Sequence, residues 1–260
     1  MTILDKIAAA AKIRVAQYKN KIPLAEIEAQ ALNLPIKNFP FEAALKKSGL
    51  SFICECKKAS PSKGLIAPHF PYLQIAKEYK AAGADCLSVL TEPEFFLGED
   101  KFLSEIAAQV SIPCLRKDFV VDEYMIYQAK VLNAAAVLLI CAILDDTQLK
   151  NFLSICDALG LSALVEAHDE REIKRAINCG ARVIGVNNRN LKDFSVNMEN
   201  AKRLRELVPL EIIFVSESGV QSAEDVKKIR ELGADAVLIG EILMRAADKK
   251  SKLAELRGGL

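Results

Sequence analysis

The chain has 260 residues, of which 51% are hydrophobic and 27% charged, with a formal net charge of +1. That balance suits a globular protein with a sizeable core and excludes intrinsic disorder. It also excludes a global field able to gather nucleic acid or coat an anionic membrane, so any anionic ligand must be held by local placement of Lys and Arg.

Seven cysteines (Cys54, Cys56, Cys86, Cys114, Cys141, Cys156 and Cys179) are odd in number, scattered, and mostly inside apolar runs. This is the pattern of reduced core thiols in a cytoplasmic protein. Only Cys54 and Cys56 are close together, and the two histidines, His69 and His168, complete no zinc spacing, so no metal is expected. The N-terminus, MTILDKIAAAAKIRV, has an early Asp and no cleavage signal, and no apolar stretch approaches a membrane span.

Residues 1–48 read as a helical extension packed across the following domain. Helical patterns at 3–19, 24–31 and 41–47 are broken by Pro23, Pro35 and Pro40. From residue 49 to 260 the rhythm changes. Apolar runs occur at 51–57, 85–90, 112–117, 135–140, 162–167, 181–187, 211–218 and 234–240, which makes eight. Amphipathic segments such as 71–83, 169–180 and 222–233 lie between them, each closing on a Gly that suits a helix C-terminus. Continuously apolar strands separated by helices predict parallel pairing with both faces covered. Eight such units predict a single-domain (β/α)₈ TIM barrel. An open doubly wound sheet would carry a nucleotide fingerprint, and neither GxGxxG nor GxxxxGK[ST] is present.

In a barrel, the residues that end the strands face the active site. The first run ends Glu55-Cys56-Lys57, with Glu55 and Lys57 on one face and Cys54 and Cys56 on the other. Glu55 and Lys57 read either as a plain strand-end ion pair or as working groups in the mouth. Lys117 ends the third run. Two inward lysines, Lys57 and Lys117, would depress each other's pKa and so make a useful acid near neutrality. Glu166 ends the fifth run, where a buried carboxylate must either pair or work. His168, two residues on, reads as structural. Asn187 and Arg189 share a face after the sixth run and offer donors to hydroxyls or a carboxylate. The seventh and eighth runs end in Glu217-Ser218-Gly219 and Gly240-Glu241. Each Gly fits either a tight turn or a backbone cradle for phosphate.

The segments E-x-K-x-x-S-P-S (55–62), L-T-E (90–92), L-R-K-D-F (115–119), L-V-E-x-H (164–168), N-N-R-x-L (187–191) and E-S-G (217–219) appear in this order along the chain. Together with the helical extension, they resemble the indole-3-glycerol-phosphate synthase family. The resemblance implies ring closure of 1-(2-carboxyphenylamino)-1-deoxyribulose 5-phosphate to indole-3-glycerol phosphate, CO₂ and water, a carboxy-lyase step that needs no cofactor. It implies Lys117 as general acid and Glu166 and Glu55 as candidate bases, with Lys57 either a second acid or an anchor for the substrate carboxylate. Asn187 and Ser218 would position the substrate or the glutamates. Ser60, Gly219 and Gly240 would hold the phosphate, Arg189 would supply positive potential, and Glu217 would contact substrate. Phe96, Phe119, Leu138 and Leu191 would wall the aromatic ring, unless they are ordinary packing. Glu241 stands where some members carry Ser, which removes a hydroxyl from the phosphate site.

The implied partner is a phosphorylated small molecule, with no nucleic acid and no membrane, acting on a monomer or a weak homo-oligomer. Isomerases of related phosphorylated sugars call for a Cys/Asp pair at the strand ends, where this chain has Glu and Lys. A Schiff-base aldolase and a non-catalytic phosphate scaffold are the remaining readings.

Overall fold

A computed structural model describes residues 2–190 and 193–258. Eight parallel strands close into a barrel: β1 (Ser51–Cys56), β2 (Cys86–Leu90), β3 (Cys114–Lys117), β4 (Ala136–Ile140), β5 (Ser162–Ala167), β6 (Val183–Asn187), β7 (Ile213–Glu217) and β8 (Ala236–Ile239). Each strand lies within one of the eight predicted runs. Sequential neighbours pair in order, and β1 closes the ring by pairing with both β2 and β8. Helices α4 (Tyr72–Ala81), α5 (Asp100–Gln109), α6 (Tyr124–Val131), α7 (Asp146–Leu159), α8 (Glu170–Asn178), α9 (Glu199–Arg205) and α10 (Ala223–Glu231) cover the outside. Gly83, Gly180 and Gly233, just beyond α4, α8 and α10, have φ between 80° and 91°, a left-handed turn that ends a helix without strain only at glycine.

Strand alternation separates two cores. Cys54, Cys56, Val89, Val137, Val165 and Ile184 face outward and pack under the helices. Ile53, Leu115, Leu138, Leu164, Val215 and Leu238 face inward and fill the barrel. The seven cysteines are unpaired, and all but Cys179 are buried. Burial pushes the Cys54, Cys86 and Cys114 thiols well above their ordinary value, which makes them inert packing groups.

The extension forms helices α1 (Ile3–Lys21), α2 (Leu24–Leu32) and α3 (Pro40–Leu45). It spans the barrel from mouth to base. Ile3, Leu4 and Ile7 of α1 border the cleft at the C-terminal ends of the strands. Phe41, Ala44 and Leu45 of α3 join the interior core at the opposite end, where Ser51 Oγ donates to Ala44 O at 3.3 Å. Between these ends, Arg14 Nη2 binds Asp118 Oδ1 at 2.6 Å and Lys19 binds Asp122 at 2.8 Å. Buried Lys130 donates to Pro35 O and Leu159 O, both at 2.7 Å. Among the described residues, no helix is long and apolar enough to cross a membrane.

Candidate active site

A cleft opens where the strands end. Glu55, Lys57, Ser60, Phe96, Lys117, Phe119, Leu138, Glu166, Asn187, Arg189, Glu217, Ser218, Gly219 and Gly240 all line it, so the chain brings these predicted residues together. Leu191 lies outside the described residues. The convergence follows from register. Inward positions two apart on β1, β3, β5 and β7 rise from an apolar layer to a polar one, and neighbouring strands set Glu55 beside Ser88 and Asn187 beside Glu217.

Two clusters make up the polar layer. On one side, Lys57 Nζ donates to Glu55 Oε1 at 2.6 Å, and Ser88 Oγ donates to Glu55 Oε2 at 3.1 Å. On the other, Lys117 Nζ stands 3.4 Å from Glu166 Oε2 and 3.6 Å from Glu217 Oε2. Asn187 Oδ1 accepts the Arg189 N–H at 3.0 Å. Glu55, Glu166 and Glu217 are each no more than 4% exposed.

Burial opposes every charge here, and the neighbours decide each outcome. Burial would lower the Lys117 ammonium, but Glu166, Glu217 and Glu55 overcome it and raise the pKa above its ordinary value. Burial would raise Glu166, yet Lys117, His168 and Asn187 hold it low. For Glu55, burial is outweighed by Lys57 and Lys117, and the carboxyl is lowered. Glu217 goes the other way. Its burial, reinforced by Glu166 and Glu55, outweighs Lys117 and pushes it up. Among the described residues, Glu217 Oε1 has no hydrogen-bond partner.

The expected depression of Lys117 is therefore corrected. Three buried glutamates share the mouth with Lys57 and Lys117, and the Coulomb balance favours protonated Lys117. The alternation of Glu55 and Lys57 gave their face but not the company that Lys117 keeps.

The walls are apolar. The Phe96 and Phe119 rings lie 5.9 Å apart, tilted by 37°. Glu92 holds the Phe96 loop by accepting the N–H groups of Glu94, Phe95 and Phe96. Ser60 belongs to a short hairpin, Ala59–Ser60 against Gly64–Leu65. Ser218 is left-handed at φ 65°, and Gly219 follows at 100°. Glu241 borders the cleft just after Gly240, 3.5 Å from Lys63 and 3.2 Å from Arg245. Sequence reasoning set the extension across the barrel without singling out Ile3, Leu4 and Ile7 as a wall of the cleft, because a contact between the extension and a distant strand end leaves no local pattern. Among the described residues, no cluster of three or more His, Cys, Asp or Glu is arranged to hold a metal.

The family model described as "Indole-3-glycerol phosphate synthase" matches residues 4–256. The indole-3-glycerol phosphate synthase of Ruminiclostridium cellulolyticum is 58% identical over 257 residues, covering 98% of this chain and 99% of that one. The protein of that name from Lachnoclostridium phytofermentans is 50% identical, covering 98% of each chain. Among solved structures, 3-hexulose-6-phosphate synthase from Salmonella typhimurium aligns with a TM-score of 0.66 at 13% identity, over 80% of this chain and 96% of that one. At that identity the likeness concerns the barrel alone.

Proposed function

The chain belongs to the indole-3-glycerol phosphate synthase family, and we propose that its barrel mouth closes the indole ring of 1-(2-carboxyphenylamino)-1-deoxyribulose 5-phosphate with loss of CO₂ and water. One observation carries this reading. Lys117 stands among buried glutamates in a cleft that the Phe96 and Phe119 rings also line.

The ring carbon that bears the carboxylate attacks the ketone carbon, and the ketone oxygen takes a proton from Lys117 Nζ. Lys117 is fully protonated near neutrality, and the developing alkoxide is basic enough to draw the proton from it. The carboxylate then departs as CO₂, and its bonding pair restores aromaticity. Dehydration removes the new hydroxyl as water and one proton from the adjacent methylene carbon. Ionised Glu166 and Glu55 are the candidates to receive that proton. Lys57 either protonates the leaving hydroxyl or anchors the substrate carboxylate. Ser60, Gly219 and Gly240 would receive the phosphate, with Arg189 supplying positive charge nearby. Asn187, Ser218 and Glu217 would position the reacting groups, and Phe96 and Phe119 would flank the aromatic ring.

The chain would act on this small molecule in the cytoplasm, where its unpaired thiols stay reduced, as one barrel with its extension and as a monomer or weak homo-oligomer. Fluorescence of the indole product on adding the purified substrate tests the reading. Product formation that Lys117→Met abolishes is the expected result. A folded protein that releases neither CO₂ nor indole product would overturn it.

A further inference from the structure

His168 takes no part in the steps above, yet its ring joins two carboxylates. Nε2 is 3.3 Å from Glu166 Oε1, and Nδ1 is 3.1 Å from Glu172 Oε2. We propose that His168 is a positioning residue for Glu166, an imidazolium clamped between Glu172 and Glu166 that fixes the carboxylate facing Lys117. This rests on Glu166 working in the proposed reaction.

The clamp is built by the start of α8. Asp169 caps that helix by accepting the Glu172 N–H at 2.8 Å, which puts Glu172 three residues into the helix. Glu172 Oε2 then turns back to accept the His168 backbone N–H at 2.8 Å, alongside the ring contact. Asn200 holds the same residue from its carbonyl side, with Nδ2 donating to His168 O at 3.2 Å. Backbone and ring are thus both fixed, with Nε2 aimed at the carboxylate that ends β5.

The two facing carboxylates favour the charged ring. Both nitrogens face carboxylate oxygens, and a neutral imidazole can donate from only one of them. The other would set a lone pair against an anion. Burial would lower the His168 pKa, but Glu166 and Glu172 raise it to about 10. The charged groups around the clamp are Glu172 on one side and Glu166 with Lys117 and Glu217 behind it on the other. Glu166 is therefore held between two cations, the His168 ring at Oε1 and the Lys117 ammonium at Oε2. Nε2 meets Glu166 without hydrogen-bond alignment, so this contact is ionic while the Glu172 contact is directional.

The chain has two histidines, so ¹⁵N-histidine NMR of the intact enzyme reads the state of the ring directly, with His69→Gln assigning the second signal. Both His168 nitrogens should be protonated at neutral pH and remain so past about pH 8. A neutral tautomer at neutral pH overturns the clamp whether or not the enzyme is a synthase. In kinetics, His168→Gln should cut kcat by about tenfold with little change in KM. It should also move the acid limb of the kcat profile toward neutral by about one pH unit, because Glu166 loses a cation. Glu172→Gln should move the limb in the same direction. A folded His168→Gln protein with wild-type kcat and an unmoved limb overturns the proposal. If that variant does not fold, the NMR measurement still decides.

Discussion

A Cβ added to Gly240 would lie 2.7 Å from Glu55 Oε1 and 3.0 Å from Lys57 Nζ. The glycine that ends β8 leaves the space in which the acid–base pair of β1 sits. Its φ is −123°, so side-chain space and not left-handed backbone sets the demand for glycine here. The sequence suggested a phosphate cradle or a tight turn, and the structure adds room for Glu55. Gly240→Ala should therefore disturb turnover before binding. We expect kcat to fall by up to about 10²-fold, the cost of misplacing a reacting group by about 1 Å, with a smaller rise in KM. Steady-state kinetics checks this. A pure KM effect would assign Gly240 to the phosphate alone.

Lys117→Met keeps most of the side-chain bulk and removes the donor. Turnover should fall by about 10²–10⁴-fold, as for loss of a positioned general acid. Lys117→Arg should not restore it, because guanidinium holds its proton too tightly. Removing the cation also leaves Glu166 and Glu217 less compensated, so Lys117→Met should lose more stability at alkaline pH, where Glu217 is charged, than at acid pH. Circular dichroism melts at two pH values, paired with turnover, make the comparison. A folded variant retaining more than about a tenth of wild-type turnover removes Lys117 from the acid role.

Glu217 carries a stability signature of its own. Burial, together with Glu166 and Glu55, raises its folded pKa from 4.5 to about 8 against the pull of Lys117. A raised folded pKa favours folding fully below the unfolded value, and that contribution is lost as pH climbs through the folded one. Between those limits the native state must hold a proton that the unfolded chain gives up. Glu217→Gln fixes the neutral form, so it should raise Tm relative to wild type at about pH 9 and leave it nearly unchanged at about pH 4. Equal Tm differences at both values would show that Glu217 is not proton-linked to folding.

Glu241 sets a carboxylate beside the expected phosphate position, paired with Lys63 at 3.5 Å and Arg245 at 3.2 Å. An anion there competes with a dianionic phosphate for the same local potential. Both cations are well exposed, so the effect is modest. Glu241→Ser should lower KM by roughly two- to fivefold and tighten competitive inhibition by inorganic phosphate. An unchanged or raised KM would mean that the carboxylate points its charge away from the bound substrate.

The extension should show two separable effects. Arg14 ties α1 to buried Asp118, the residue after Lys117, and removing it leaves that carboxylate short of a donor. Arg14→Met should cost about 2 kcal/mol, seen as a lower denaturation midpoint. Replacing Ile3 and Ile7 with Ser should instead raise KM with a smaller loss of stability, because those residues border the cleft. If both changes lower stability alone, the extension is a strut with no part in closing the site.

Much of this was legible along the chain because barrel strands announce themselves locally. Buried parallel strands are apolar on both faces, so their runs stand out, and strand period two predicts which strand-end residues share a face. The expectation for Glu55 with Lys57, and for Asn187 with Arg189, needed only that period. The resemblance supplied the reaction and the roles, which spacing alone leaves open.

Tertiary structure alone decided the electrostatics and the spaces. Lys117 lies 49 residues from Glu166 and 100 from Glu217, so no local pattern could show that carboxylates, and not a second lysine, set its charge. Gly185 stands on β6 beside Glu166, and a Cβ there would collide with Glu217 Oε1. The sequence offers no reason for that glycine, since the demand comes from a side chain on the neighbouring strand, far along the chain. The same holds for the link from His168 to Glu166 and for the wall made by α1. Periodicity acts over a few residues and so fixes which way each side chain points. Coulomb forces and excluded volume act through space, and they take their values only when closure of the barrel brings the strand ends together.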